Sequence, residues 1–333
     1  MSKKITLLGA GSWGTALALL LARNDCEVLL WGHDENEIAG LAEFREHRQL
    51  LPGFILPEKI SLTTQLEAAA AFSGLILIAV PSHAFAATLS RLKATPQAEA
   101  LKIAWVTKGF NPQDGRLLHQ VVADIFSPKT PAAILSGPTF AREVAQNLPT
   151  AITIASNHGE FANQLAEIFH NERFRPYTSS DIIGVEVGGA VKNVLAIAAG
   201  IADGLGFGAN TRAALITRGL NEIMRLGLKL GGKPETFTGL AGLGDLVLTC
   251  TDDQSRNRRC GLALGQGKTR AEIAKEIGQE IEGISAAKDT YLLAQRHQID
   301  MPITEQTYRV LYEGLNPLSA VQNLLTRHQK AES

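Results

Sequence analysis

The chain has 333 residues, 45% hydrophobic and 20% charged, so it is long enough for two cores and too apolar to be disordered. Lys plus Arg total 32 against 33 for Asp plus Glu, which excludes a broad basic field for nucleic acid or an anionic membrane. The three cysteines, Cys26, Cys250 and Cys260, form no Cys-x-x-Cys pair, and the eight histidines lack metal-ligand spacing, so neither a disulfide framework nor a metal is expected and a reducing cytoplasm fits.

Lys3 and Lys4 ahead of an apolar run to Ala22 look like a secretory signal. Glycines and polar residues from Gly9 to Gly14 interrupt that run, so it is expected to fold rather than be cleaved, and no other stretch is expected to span a bilayer. Strands are predicted at Lys4 to Leu8, Glu27 to Trp31, Leu75 to Val80, Lys102 to Val106 and Ala132 to Ser136, with Ala151 to Ala155 and Arg173 to Tyr177 extending the same sheet. Helices such as Gly14 to Asn24 and Ser82 to Leu92 fill the gaps, the alternation expected of βαβ units.

Ile5 to Leu8 is a strand-like run ending in Gly9-Ala10-Gly11-Ser12-Trp13-Gly14, and a helix begins directly after it. In that context Gly9 permits the tight turn, Gly11 lets the backbone approach a pyrophosphate, Gly14 lets helix and strand pack closely, and the helix N-terminus presents N–H donors. A Rossmann domain with a mostly parallel, doubly wound sheet is expected over residues 1–180, binding NAD(H), NADP(H) or both. The second strand ends in Trp31-Gly32-His33-Asp34, where His33 suits a 2′-phosphate, Asp34 suits the ribose diol, and either also suits a cap on an exposed turn.

Ligands of such sheets bind beyond the strands' carboxyl ends, where this chain has Val80-Pro81-Ser82-His83, Thr107-Lys108-Gly109 and Ser136-Gly137-Pro138-Thr139. Lys108 there is either a ligand cation or an exposed loop lysine, and Gly137-Pro138 reads as the first turn of a helix.

Past a Ser-rich turn at Thr178 to Asp181 the strand signal fades and an all-α domain is expected over residues 181–333. Lys192 and Asn193 sit in the middle of a helix that is apolar almost all round, where a buried ammonium tends toward proton exchange unless it pairs with an acid or reaches the surface. Gly188, Gly189 and Ala190 leave room for a ligand or a second backbone within a turn of it. Gly239 to Gly244 follows no strand, so it reads as a tight connection between helices that delivers Asp245 to a fixed place. Ser255-Arg256-Asn257 gathers hydroxyl, guanidinium and amide donors suited to a phosphate, or else forms a solvated basic face with Arg258 and Arg259.

Together with Phe140-Ala141 after Thr139, these ordered motifs closely resemble the bacterial NAD(P)-dependent glycerol-3-phosphate dehydrogenase family over nearly the whole chain. The resemblance implies reversible hydride transfer between NAD(P)H and dihydroxyacetone phosphate, giving sn-glycerol 3-phosphate for phospholipid synthesis. Carried over by position, it makes Lys192 the general acid or base and gives substrate contacts to Lys108, Gly137, Thr139, Asp245, Ser255, Arg256 and Asn257. It gives dinucleotide contacts to Ser12, Trp13, His33, Lys108, Ala141, Arg256, Glu280 and Glu282, although the family usually has an apolar residue where Glu280 stands. It also implies a helical second domain like that of 6-phosphogluconate dehydrogenases, and a homodimer.

Two other readings keep the same architecture: a dehydrogenase of hydroxy acids or sugar acid phosphates, and a regulatory protein that senses NAD(H) without turnover. The first needs a carboxylate clamp that is not evident, and the second needs no buried lysine beside a phosphate-binding cluster. Arg258 and Arg259 match no role in the family and are expected to tolerate alanine.

Overall fold

The structure is a computed structural model describing residues 3–327, and the outermost positions of the two expected domains, residues 1–2 and 328–333, lie outside it. Its strands are β1 (Lys4–Leu8), β2 (Glu27–Trp31), β3 (Glu46–His47), β4 (Leu51–Ile55), β5 (Ile60–Thr63), β6 (Leu75–Ile78), β7 (Lys102–Trp105), β8 (Ala132–Ser136), β9 (Thr150–Ser156) and β10 (Phe174–Ser179). The helices interleaved with them are α1 (Ser12–Arg23), α2 (Glu35–Phe44), α3 (Leu66–Phe72), α4 (Ser82–Lys93), α5 (Leu118–Ile125), α6 (Ala141–Ala145) and α7 (Gly159–Phe169).

Eight strands form one sheet in the order β10-β9-β8-β7-β6-β1-β2-β5, all parallel except the antiparallel β8–β9 pair. The order reverses at β1 and β6, the switch point at which open parallel sheets bind ligands. Sheets covered on both faces read as continuous apolar runs, and β6, Leu-Ile-Leu-Ile, is buried throughout. On one face Ile5, Leu7, Val28, Leu30, Leu75 and Leu77 join the apolar side of α1 and Phe161 and Leu165 of α7. On the other, Thr6 donates to the Ala69 carbonyl of α3 at 2.7 Å and Trp105 meets Phe85 of α4 edge-on at 5.9 Å.

Three strands went unread in the sequence. β4 contains Pro52 and Gly53, both strand-breaking signals, and pairs only with the two-residue β3 across an irregular register. β5 is a four-residue edge strand beside β2 with only Ile60 and Leu62 apolar.

The chain divides into two compact units, Met1–Glu186 and Val187–Ser333. Every described element after β10 is helical: α8 (Ile182–Gly204), α9 (Ala209–Lys229), α10 (Pro234–Thr238), a π-helical turn (Leu240–Gly244), α11 (Asp245–Thr251), α12 (Arg256–Gly265), α13 (Arg270–Ile277), α14 (Glu282–His297), α15 (Pro302–Tyr312) and α16 (Pro317–Leu325). The expectation that no further stretch is long and apolar enough to cross a membrane needs correcting, because α8 passes that test by length and composition. Its apolarity has another cause: α8 is the centre of the second unit, where Val194, Ile197 and Ile201 pack against residues of α12, α13, α14, α15 and α16.

Backbone meets backbone where α8 crosses α12. A Cβ on Gly200 would lie 2.1 Å from the Arg258 carbonyl oxygen, one on Gly204 2.2 Å from that of Leu262, one on Gly261 2.0 Å from that of Ile197, and one on Gly265 2.5 Å from that of Ile201. Only glycine fits at these four positions.

Candidate functional site

In the first unit β1 runs into a turn at Gly9, whose φ of +119° favours glycine and whose missing Cβ would lie 2.8 Å from the Ala79 backbone beyond β6. Gly14 is equally constrained, since a Cβ there would overlap the Gly9 carbonyl oxygen at 1.8 Å. Gly11 differs: it N-caps α1, and a Cβ on it would meet nothing within 4 Å. No side chain caps α1 and no acidic residue occupies its first turn, so its leading N–H groups and dipole are free to meet an anion. This cradle fits the pyrophosphate of a dinucleotide. Ser12 and Trp13 open α1 half-buried, Trp13 against the apolar core, while His33 is exposed just past β2. Asp34 is a cap: its Oδ1 accepts from the N–H groups of Asn36 at 2.8 Å and Glu37 at 3.0 Å, starting α2.

Beyond β7 and β8 three expected residues converge on one atom. The Gly137 carbonyl accepts from Lys108 Nζ at 3.3 Å and from Thr139 Oγ1 at 3.2 Å. The reading of Gly137-Pro138 as a helix start is therefore corrected: that carbonyl is occupied by side chains, and α6 begins at Ala141 with Phe140 as its N-cap. Ala141 is thus the first helical residue there.

In the second unit Lys192 and Asp245 form an ion pair with only 7% and 1% of their surfaces exposed. Gly188 explains how the pair forms. A Cβ at that position would lie 2.6 Å from the Ala241 carbonyl oxygen, so its absence lets the π-helical turn lie against α8 one turn before Lys192. The connection expected before Asp245 is that π turn, which runs straight into α11 with Asp245 as the first α-helical residue.

Asn257 Nδ2 donates to Asn193 Oδ1 at 2.9 Å, while its own Oδ1 accepts from the Gly283 N–H at the start of α14. Ser255 caps α12 by accepting from the Arg258 N–H, and its hydroxyl shares a 3.1 Å hydrogen bond with Thr249. Arg256 is half-buried and donates to Gln279 at 3.4 Å. Glu282 opens α14, and Glu280 is exposed just before it.

Arg258, expected to tolerate alanine, has a built environment that the sequence did not show. It is buried, donates to Asp203 of α8 at 2.7 Å and pairs with Asp253, whereas Arg259 is exposed. Asn193, Thr249 and Gln279 were missed as partners. Asn193 carried the same signal as Lys192, a polar residue in an apolar helix, and its buried Nδ2 has no hydrogen-bond partner among the described residues.

A cavity of ≈ 600 Å³ elsewhere in this unit is lined by Leu215, Arg218, Glu222, Val310 and Leu324 among others. It holds none of the expected residues. Burial raises Glu222 there to a pKa of about 7 while it accepts from Ile303 N, Thr304 N and Thr304 Oγ1 at the start of α15.

Residues 4–162 match the family described as NAD-dependent glycerol-3-phosphate dehydrogenase N-terminus, and residues 181–322 match its C-terminus. The chain is 54% identical over 333 residues to the glycerol-3-phosphate dehydrogenase (NAD(P)+) of Colwellia psychrerythraea, covering 100% of this chain and 99% of that one. It is 56% identical over 329 residues to that of Methylococcus capsulatus, covering 98% of each. Among solved structures it superimposes on glycerol-3-phosphate dehydrogenase from Coxiella burnetii with a TM-score of 0.95 at 51% identity, covering 98% of this chain and 99% of the other.

Proposed function

Because the chain belongs to the NAD-dependent glycerol-3-phosphate dehydrogenase family, we propose that it catalyses reversible hydride transfer between NAD(P)H and dihydroxyacetone phosphate. The product is sn-glycerol 3-phosphate, a precursor for phospholipid synthesis. The observation that carries this reading is the ion pair between Lys192, in the middle of the largely apolar α8, and the buried Asp245 at the start of α11.

Bound NAD(P)H supplies the hydride that reduces the ketone carbon. Gly9, Gly11 and Gly14 shape the cradle for its pyrophosphate, with further dinucleotide contacts from Ser12, Trp13, His33, Lys108, Ala141, Arg256, Glu280 and Glu282. Lys108, Gly137, Thr139, Ser255, Arg256 and Asn257 hold the phosphorylated ketone, the guanidinium of Arg256 matching phosphate oxygens. The Nδ2 of Asn193, which lacks an acceptor, is a further donor for a substrate oxygen. Lys192 Nζ holds the proton and passes it to the carbonyl oxygen as that oxygen becomes an alkoxide. Asp245 orients the ammonium and supplies its counter-charge, and in the reverse direction Lys192 takes the proton back.

The enzyme works as a cytoplasmic homodimer with small-molecule partners, without nucleic acid or a membrane span. The test is Lys192→Ala, checked for a folded circular dichroism spectrum because it strands Asp245 as a buried charge. Turnover is expected to fall about a thousandfold, within the usual range for losing a general acid. NADH binding, followed by fluorescence, stays close to wild type. Near-normal turnover would remove lysine from the mechanism.

A further inference from the structure

We propose that Arg258 is a positioning residue: it locks the start of α12 onto α8, so that Arg256 and Asn257 stand at a fixed distance from Lys192. The proposal rests on the reading of Ser255, Arg256 and Asn257 as the phosphate anchor.

Arg258 lies in the same helical turn as Arg256 and Asn257, and its backbone N–H is the one that Ser255 caps. Its guanidinium bonds Asp203 Oδ2 at 2.7 Å near the end of α8 and pairs with Asp253 ahead of α12. Asp203 is itself held by Arg212 of α9, at 2.9 and 3.1 Å from its two oxygens. Its side chain and that of Arg258 are each 9% exposed, so this is a desolvated link rather than a solvent-screened surface pair.

The link acts where freedom is already small. The glycine seam brings the two helix backbones into contact, and the Arg258 carbonyl is the atom that Gly200 packs against. At the other end Asn193, next to Lys192, accepts from Asn257. The four glycines of the seam contribute no side chains that interlock, so the start of α12 keeps some freedom to slide or rotate on α8. The planar fork of Arg258, held by carboxylates on both sides, removes that freedom. Lys192 and Arg256 are proposed to act on opposite ends of a three-carbon substrate, so a small shift of α12 moves the carbonyl away from Nζ.

The experiment compares wild type, Arg258→Met and Arg258→Lys with NADH, using dihydroxyacetone phosphate and unphosphorylated dihydroxyacetone. Arg258→Met is expected to lower kcat/KM for the phosphorylated ketone on the order of ten- to a hundredfold, the effect of an ångström-scale misplacement. Its preference over dihydroxyacetone falls in step, NADH binding is unchanged, and Arg258→Lys recovers part of the loss. A purely structural role would shrink the active fraction and scale both substrates equally, so an unchanged preference overturns the proposal. Should Arg258→Met not fold, Asp253→Asn takes its place, because that carboxylate is 81% exposed and strands no buried charge. A fall in preference of about two- to fivefold supports the link, in keeping with an exposed pair, and no change overturns it. Wild-type turnover of dihydroxyacetone phosphate separates the two claims. Its absence overturns the functional reading together with this one, whereas its presence beside unaltered variants overturns this one alone.

Discussion

Arg256, Arg258 and Arg259 lie within four residues and have three different surroundings: half-buried and bonded to Gln279, buried between two carboxylates, and exposed. Charge counting treats them alike, the family resemblance singles out Arg256, and the structure separates the buried Arg258 from the exposed Arg259. Arg256→Ala is expected to lower kcat/KM for dihydroxyacetone phosphate about ten- to a hundredfold more than for dihydroxyacetone, the effect of one lost charged hydrogen bond. Arg259→Ala serves as the control and should match wild type. A phosphate preference that survives in Arg256→Ala would place the anchor elsewhere. Lys192 was legible in the sequence because an ammonium inside an apolar helix is conspicuous. How Asp245 comes to lie beside it was not, since the π turn that brings them together depends on Gly188 yielding its side-chain space to Ala241. Asp34 read equally well as a ribose ligand or a cap, and the structure shows the cap, with one carboxylate oxygen accepting from both amides.

Elements whose character is local were readable, and those defined by a partner were not. β1, β2 and β8 have the predicted bounds because each is a short buried apolar run, whereas β3, β4 and β5 exist only through their pairing. The α8–α12 seam is another property of two elements together. Gly261→Ala would place a methyl group 2.0 Å from the Ile197 carbonyl oxygen and is expected to destabilise by about 1–3 kcal/mol, the usual penalty for overpacking. Gly40 sits inside α2 with nothing within 4 Å of a Cβ, so Gly40→Ala should stabilise by roughly 0.5–1 kcal/mol through helix propensity. Urea denaturation of both variants checks the pair, and shifts of the same sign would contradict the packing described.

The start of α15 carries a pH dependence. Burial raises Glu222 from 4.5 to about 7, so the folded chain holds that proton more tightly than the unfolded one. Its stabilising contribution is therefore complete below pH 4.5 and is lost as pH rises through about 7. Relative to Glu222→Gln, wild type should lose on the order of 3 kcal/mol across that interval, measured by urea denaturation at several pH values. Parallel curves for the two proteins would show that Glu222 does not titrate there.

At the scale of the whole molecule, length and composition already called for two cores, and the order of motifs along the chain divided the work between them. The first unit builds a dinucleotide cradle from backbone, with Gly9 and Gly14 fixed by contact and Gly11 left open. The second builds a polar cluster on a central helix so apolar that, by composition alone, it passes for a membrane span. The cofactor preference was not legible: His33, the residue proposed to face the ribose, is exposed past β2, and Asp34 beside it caps α2. The most direct test follows absorbance at 340 nm with NADH and with NADPH, offering dihydroxyacetone phosphate, dihydroxyacetone, and ketones phosphorylated on longer chains. The account predicts oxidation of both cofactors with dihydroxyacetone phosphate, far slower reaction without the phosphate, and appearance of sn-glycerol 3-phosphate in equal amount. Tight NADH binding with no oxidation by any phosphorylated ketone would contradict it and leave a dinucleotide sensor in its place.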